Sequence, residues 1–171
     1  LPAIFRGDKD VVLTAVKNSG LALKYASKKL QDDEELVFTA FLANSDALNY
    51  ASEQLRDNTK FMFDIVQVLG SSLKYASKGL RNDKEIVLAA TKEDGNALQY
   101  ASDMLRNDRE IVVAALRQDG GSLRYAPPEL RNDKEIVLIS MQSSGASLQF
   151  VSEELQNDKE VVLAAVENSG L

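Results

Sequence analysis

The sequence lacks several residue types on which enzyme chemistry and disulfide frameworks depend. Among its 171 residues there is no cysteine, no histidine and no tryptophan. Without cysteine there is neither a disulfide nor a thiolate nucleophile, and without histidine the commonest general base and zinc ligand is missing. Any catalysis would have to use carboxylates, lysine, tyrosine or serine. These absences predict a protein that is not an enzyme, binds no metal or cofactor and has no evident small-molecule substrate.

Long apolar runs and an excess of positive charge are also missing. No stretch of eighteen consecutive apolar residues occurs, so the sequence predicts no membrane span. Lys and Arg number 20 against 26 Asp and Glu, which gives a formal net charge of −6. Because recognition of a phosphate backbone needs clustered basic residues, this balance argues against nucleic acid as a partner. The remaining composition is typical of a soluble domain or repeat array.

What the sequence does contain is a repeat of 25 residues. The phrase LRNDKEIVL occurs at Leu80–Leu88 and again at Leu130–Leu138. Aromatic residues recur at the same interval without any insertion, at Tyr25, Tyr50, Tyr75, Tyr100, Tyr125 and Phe150. The sequence therefore predicts one array of units, approximately 5–29, 30–54, 55–79, 80–104, 105–129 and 130–154, with a partial unit at 155–171.

The two extremities of the array resemble its interior. The tetrapeptide NSGL stands at Asn18–Leu21 and again at Asn168–Leu171, and neither extremity has the polar face expected of a terminal repeat. No targeting signal is visible, and the first residue is Leu1 rather than methionine. We therefore expect a segment of a longer protein, whose compartment and oligomeric state stay open.

Each unit predicts two helices and a turn. Asp83 precedes KEIVLAATK as an N-cap, and Glu85 in the first turn suits the positive end of that helix. Gly95 is expected to end the helix as a left-handed residue. A shorter helix over NALQYAS follows, and Ser102 is expected to cap a last short turn.

Apolar periodicity indicates how the units stack. Ile86, Val87 and Ala90 share one arc of the first helix, and Ala97 and Leu98 form the stripe of the second. One unit is too small to bury these faces alone, so neighbouring units must supply the core. The predicted fold class is all-α, a right-handed or otherwise curved α-solenoid of tandem 25-residue helix–turn–helix repeats, with handedness left open.

The repeated phrase resembles a known family. LRNDKEIVLAA, then glycine, then ALQYAS resembles the repeats of domain of unknown function DUF4116. The resemblance implies helical modules in tandem arrays, of a kind found in bacterial and protist proteins. It implies no catalytic residue, because the family has no assigned activity. Three positions depart from the pattern: Ser45 at the glycine, Asn58 at the aspartate cap and Pro127 at the serine.

Several polar features have simpler structural explanations than functional ones. The tyrosines suit a stack for bases, but rings packed on the next repeat with surface hydroxyls are the preferred interpretation. The acidic run at Asp32–Glu35 lacks the spacing of a calcium loop and suits a helix start. Asp64 is expected to be a solvated carboxylate. A column of serines is expected to cap short turns rather than to be phosphorylated: Ser27, Ser52, Ser77, Ser102 and Ser152.

Apolar residues at polar positions are the clearest candidates for a functional surface. Leu42 replaces the basic or amide type of its column, and Val68 replaces polar residues in its own; Ile139 also lies at a polar edge. Exposed apolar clusters often mark partner sites. We therefore predict that Leu42, Val68 and Leu69 contact a partner, with Glu85 and Lys92 setting orientation.

The predicted function is a non-enzymatic scaffold for protein binding or assembly that presents a repeated helical surface. The partner is expected to be another protein or the rest of its own chain. Two alternatives stay open: a non-catalytic repeat segment of a larger enzyme or secreted effector, and a structural subunit of a large complex.

Overall fold

The computed structural model describes residues 2–168, which contain helices and no strand. The all-α prediction is confirmed for this part of the chain. Its α-helices are α1 (Lys9–Asn18), α2 (Glu34–Ala43), α3 (Glu53–Arg56), α4 (Thr59–Val68), α5 (Lys84–Glu93), α6 (Asp103–Arg106), α7 (Arg109–Gln118), α8 (Pro128–Arg131), α9 (Lys134–Ser143), α10 (Glu153–Gln156) and α11 (Lys159–Glu167). Its 3₁₀ helices are η1 (Ala3–Phe5), η2 (Gly20–Tyr25), η3 (Leu30–Asp32), η4 (Ser45–Tyr50), η5 (Gly70–Tyr75), η6 (Leu80–Asn82), η7 (Gly95–Tyr100), η8 (Gly120–Tyr125) and η9 (Gly145–Phe150).

The long helices begin where the sequence places their caps. The side chain of Asp83 accepts hydrogen bonds from the backbone N–H groups of Glu85 at 3.0 Å and Ile86 at 3.1 Å. These bonds satisfy two of the donors that a helix start leaves without intrahelical partners. Asp8, Asp108, Asp133 and Asp158 cap the equivalent helices in the same way.

The predicted role of Gly95 is wrong. Helix α5 ends at Glu93, Asp94 follows with extended backbone (φ −139°, ψ 108°), and Gly95 begins η7. Glycine is required at position 95 because the backbone of the next long helix lies close to it. A Cβ atom at Gly95 would lie 2.4 Å from the carbonyl oxygen of Ala115, in the next long helix. The same clash would occur at Gly20, Gly70 and Gly120.

The predicted shorter helix of each unit is a 3₁₀ helix in the six units for which the structure describes it. In η7 the side chain of Asp94 accepts from the backbone N–H of Asn96 at 2.9 Å. Ala97 and Leu98 are fully buried, as their apolar stripe predicts. The tighter 3₁₀ turn suits a short segment that is held by packing on both sides.

The last turn of each unit has two forms. It is α-helical in α3, α6, α8 and α10, which begin with an acidic residue or proline, and 3₁₀ in η3 and η6. At the position of Glu53 and Asp103, the two units with a 3₁₀ turn carry Lys28 and Lys78.

The serine caps are confirmed where the last turn is α-helical. Ser52, Ser102 and Ser152 each accept a bond from the backbone N–H three residues on. The prediction is wrong for Ser27, whose side chain makes no cap bond within the described residues. Pro127 takes the place of a serine, and Pro128 begins α8, where a missing N–H is no loss.

The chain divides into two compact parts. The first is Leu1–Ile65 with Tyr75–Ser77, and the second is Val66–Lys74 with Lys78–Leu171. In the first part, α1 packs against α2 and η2 against η4. In the second part, α5, α7, α9 and α11 pack in chain order, as do η7, η8 and η9. Fully buried side chains such as Ile86, Ile111 and Leu123 fill the core of the second part.

Candidate functional site

The apolar candidate residues are exposed at the surface. Leu42 is 62% exposed, Val68 50% and Leu69 37%. Val68 and Leu69 are consecutive residues of the second compact part, whereas Leu42 belongs to the first. The structure therefore presents Val68 and Leu69 as one exposed pair, and a surface that also includes Leu42 stays a prediction.

Leu69 occupies a position at which three other units carry a helix cap, whereas Ser19 and Ser144 stand there without a cap bond. Before the six-residue 3₁₀ helices, the side chains of Asn44, Asp94 and Asp119 accept the backbone N–H two residues on, at 2.8–2.9 Å. Leu69 stands at this position before η5, and a leucine side chain has no acceptor. Losing such a cap costs about 1 kcal/mol. The exposed leucine is therefore a residue that folding alone does not favour.

Val68 makes the same kind of departure one residue earlier. Its equivalents in the next two units are Glu93 and Gln118. The pair Val68–Leu69 thus replaces a polar and a capping residue by two exposed apolar ones.

Glu85 and Lys92 are both exposed on α5. They are seven residues apart, which corresponds to about 10 Å along the helix axis. Lys92 lines an open groove of about 550 Å³ between α5 and α7, together with Arg109, Glu110 and Arg117. The backbone carbonyl of Lys92 also accepts a bond from the side-chain amide of Gln118. Lys92 therefore borders a groove with more positive than negative charge.

Ion pairs that the sequence analysis missed join consecutive long helices of the second part. The Lys84 ammonium lies 2.8 Å from carboxylate oxygens of both Asp108 and Glu110. Lys134 makes the same two contacts with Asp158 and Glu160, at 2.8 and 2.9 Å. Arg109 pairs likewise with Asp133 and Glu135, and in the first part Lys9 pairs with Asp33 and Glu35. A basic residue at the start of one long helix is thus held by two carboxylates at the start of the next, and we call this contact between consecutive long helices a joint.

Each capping aspartate in this arrangement serves two repeats. Oδ1 of Asp108 caps its own helix by accepting from Glu110 and Ile111, while Oδ2 binds Lys84 of the preceding helix. The hydrogen bond from Lys84 lowers the pKa of the Asp108 carboxyl, and bonds to Asp108 and Glu110 raise the pKa of Lys84 to about 12. Both directions favour the charged pair.

The serine column also bridges repeats. The hydroxyl of Ser102 donates to the side-chain oxygen of Asn82 at 2.6 Å and accepts from the backbone N–H of Leu105 at 3.3 Å. Its backbone N–H donates to the carbonyl of Arg81 at 2.9 Å. Ser52 donates to Asp32, Ser77 to Asp57 and Ser152 to Asn132. These hydroxyls are therefore engaged in structural bonds between repeats.

The tyrosine column varies in its surroundings. Tyr75 is buried and its hydroxyl donates to Asp46, whereas Tyr25 is exposed. Basic side chains lie over the rings of two tyrosines. Lys24 lies 4.7 Å from the centre of the Tyr25 ring, and Arg124 lies 4.6 Å from the centre of the Tyr125 ring. The buried Tyr75 fits the packing interpretation, except that its hydroxyl is bound rather than free at the surface.

The acidic run Asp32–Glu35 has structural partners. Asp33 caps α2 and binds Lys9 together with Glu35, and Asp32 accepts the hydroxyl of Ser52. Asp64 is exposed, as predicted. Within residues 2–168, no three acidic side chains come together in a group that could hold a metal ion. Over the same range, no helix combines the length and apolar character needed to cross a membrane.

The repeated capped helices and their shared joints define an all-helical tandem-repeat protein. The family described as domain of unknown function DUF4116 matches residues 8–56, 58–106, 88–131, 108–147 and 133–171. The chain belongs to this family, which confirms the resemblance read from its repeated phrase. Neither the curated proteins nor the solved structures include a significant match to the chain.

Proposed function

We propose that this chain is a non-enzymatic scaffold that binds another protein, and that the repeats of each compact part are stacked as an α-solenoid. The packing of α5, α7, α9 and α11 in chain order supports the stacking. So does the separate packing of η7, η8 and η9 in the same order. In such an array each repeat holds its outward side chains at a regular spacing.

The observation that carries the proposal is the exposed pair Val68–Leu69. A side chain that gives up a cap and stays exposed is unfavourable for the isolated fold, so its advantage lies in a contact with something else. The pair is flanked by the exposed polar residue Gln67. An apolar anchor with a polar rim is the usual anatomy of a protein-binding surface. The partner is therefore a protein that presents an apolar side chain to this pair.

The test replaces the pair by the residues of the next unit, in the variant Val68→Glu/Leu69→Asp. A photo-crosslinking amino acid at position 68 first identifies the partner by mass spectrometry, and calorimetry with the purified partner then measures affinity. We expect the variant to unfold at higher denaturant, because the introduced aspartate restores a cap, and to bind at least roughly tenfold more weakly, a change of about 1.4 kcal/mol.

Met104→Glu is the matched control. Met104 is 65% exposed and apolar, and it lies on α6 outside the candidate pair. This control is expected to bind like the unmodified chain. Unchanged affinity in the Val68→Glu/Leu69→Asp variant, at full folding, would refute the proposed surface.

A further inference from the structure

The open groove of about 550 Å³ between α5 and α7 has an apolar floor. Leu88, Val113 and Ala114 form this floor, and all three are half-buried, so the chain itself covers them only in part. We call this feature the α5–α7 groove. Its volume lies within the range of about 300–1,000 Å³ that is usual for ligand sites. The floor can therefore accept an apolar side chain of another molecule.

Two exposed cations border the α5–α7 groove. Neither the Lys92 ammonium nor the Arg117 guanidinium makes an ion pair or donates a hydrogen bond within the described residues. The other two charged residues of the groove, Arg109 and Glu110, are held in joints. The charge that the groove offers to another molecule is therefore positive, although the whole chain is negative.

An equivalent groove lies two repeats further along, between α9 and α11. Its floor is also apolar and contains Leu138, Leu163 and Ala164. The positions of the two cations are held there by Gln142 and Glu167. Because the same local fold accommodates both sets, packing does not require two cations at this place. The positive charge is a property of the α5–α7 groove and not of the repeat.

We propose that the α5–α7 groove binds an acidic segment of another protein. An apolar side chain of this segment lies on the floor, and its carboxylates pair with Lys92 and Arg117. Charge complementarity argues for a partner that bears carboxylates. The inference goes beyond the proposed function, since this second surface includes neither Val68 nor Leu69.

The apolar floor favours a peptide over other anions. An apolar side chain beside the carboxylates would be removed from water by Leu88 and Val113, which adds to the affinity. A phosphate backbone has no apolar side chain to place there. An anionic membrane surface is usually recognised by clusters of about four or more basic residues, whereas the groove offers two free cations.

The spacing of the cations sets an expectation for the segment. Lys92 and Arg117 hold equivalent positions on consecutive long helices, and packed helices lie about 8–10 Å apart. An extended chain advances about 3.3 Å per residue. We therefore expect acidic residues about three positions apart in an extended segment.

A phage library of random peptides, selected on the 171-residue chain, provides the probe. Counter-selection on Lys92→Gln/Arg117→Gln removes the peptides that bind elsewhere. The remaining peptides are expected to combine acidic residues with an apolar one. Recovery of no peptide, or of peptides without acidic residues, would overturn the proposal.

Fluorescence anisotropy of a labelled peptide from this selection then measures affinity. Replacing its apolar residue by serine is expected to weaken binding by roughly tenfold, because the floor is left empty. Lys28→Gln/Lys29→Gln is the matched control, since it removes the same charge from two exposed lysines outside the groove. This control is expected to bind within about twofold of the unmodified chain. A loss in the control, or none with the serine peptide, would mean that net charge alone governs binding.

Transfer of the two cations makes the test specific. Gln142→Lys/Glu167→Arg places them over the floor of the groove between α9 and α11. In a chain that also carries Lys92→Gln/Arg117→Gln, this transfer is expected to restore binding of the same peptide, as measured by calorimetry. Circular dichroism and urea denaturation check that each variant is folded. A folded chain that carries the transferred cations and binds no peptide would contradict the assigned role of the cations.

Competition distinguishes the other occupants. A single-stranded oligonucleotide and vesicles containing phosphatidylserine are each expected to displace the labelled peptide less effectively than the unlabelled peptide does. More effective displacement by either would overturn a protein segment as the occupant. Val68→Glu/Leu69→Asp is expected to leave peptide binding unchanged, so a failure of this inference can be told apart from a failure of the proposed function.

Discussion

The units from Lys84 to Asp158 and the stretch from Glu34 to Leu69 share one period but differ at their joints. In the first region each long helix begins with a basic residue that is paired with two carboxylates of the next helix. In the second region the signs are exchanged, because Glu34 stands at the basic position while Asn58 and Lys60 stand at the acidic ones.

The close contact between repeats shows a second paired change. Gly95 and Gly120 face the carbonyls of Ala115 and Ser140, twenty residues on. At the corresponding positions the stretch from Glu34 to Leu69 carries Ser45 and Ile65. The glycine and the small residue that faces it, alanine or serine in the regular units, are therefore replaced together. Joint residues therefore change in sets. Val68 and Leu69 show no such compensating exchange, which is why we propose that they bind a partner, and a contact role for Leu42 stays a prediction.

The largest expected loss of stability comes from a substitution at the closest contact between the regular repeats. Gly95→Ala places a methyl group 2.4 Å from the backbone oxygen of Ala115, and backbone cannot yield as a flexible side chain does. We expect a loss of about 3 kcal/mol in the free energy of unfolding, measured by urea denaturation. Ser45→Ala is the control and should change stability by less than about 0.5 kcal/mol, because a Cβ is already present. Equal effects at the two positions would contradict the close-approach explanation.

Exchanging the cap residue between the regions sharpens the comparison. Asp94→Leu removes the bond to Asn96 and is expected to destabilise the fold by about 1 kcal/mol. Leu69→Asp supplies the missing cap and is expected to stabilise it by about 1 kcal/mol. Thermal and urea denaturation measure both variants. A destabilised Leu69→Asp variant would show that the leucine contributes packing which outweighs the cap.

The serine column offers a smaller contrast. Ser102→Ala loses a bond to Asn82 and a cap on Leu105, so its unfolding free energy should fall by roughly 0.5–1 kcal/mol. Ser27→Ala, which loses no cap bond, should stay within about 0.3 kcal/mol of the unmodified chain. Similar losses in both would mean that the hydroxyl bridge between repeats adds nothing.

The smallest expected effect concerns pH. The pKa of Asp108 is lowered in the folded chain, so its pairing stabilises the fold above its ordinary pKa of 3.8 and is lost as pH falls through the lowered value. The pKa of Lys84 is raised to about 12, so its contribution is complete below 10.5 and is lost as pH rises through about 12.

Asp108→Asn separates the cap from the charge, since an asparagine cap is already present at Asn58. The variant is expected to lose less stability than the unmodified chain between about pH 4 and pH 2, as measured by urea midpoints across that range. If the urea midpoints of both proteins fell equally over this pH range, the ion pair would make no net contribution to stability.

Period and helix starts were predictable from the sequence, because their causes are local. Asp83 caps a helix only a few residues away, and the apolar arc of Ile86, Val87 and Ala90 depends on spacing within one helix. The true reason for Gly95 was not predictable in this way. It depends on the carbonyl of Ala115, which approaches from the next repeat.

The candidate surface was predicted only in part. Exposure of Val68 follows from comparing one column, but the capping role lost at Leu69 becomes visible only when Asp94 and Asp119 are seen to accept backbone bonds. The ion pairs did leave a signal in the sequence. A basic residue recurs 24 and 26 residues before acidic ones, and the joint that begins at Glu34 exchanges its residue types together.

The aspartate that caps one helix while binding the previous one has a consequence for how this protein changes in length. Deleting a single residue between two caps would turn the following helix by about 100° and withdraw its apolar face from the core. It would also move the carboxylate away from the lysine that it holds. An array of this kind therefore tolerates the gain or loss of a complete 25-residue module better than that of a single residue, and the identical phrases at Leu80–Leu88 and Leu130–Leu138 lie two such modules apart.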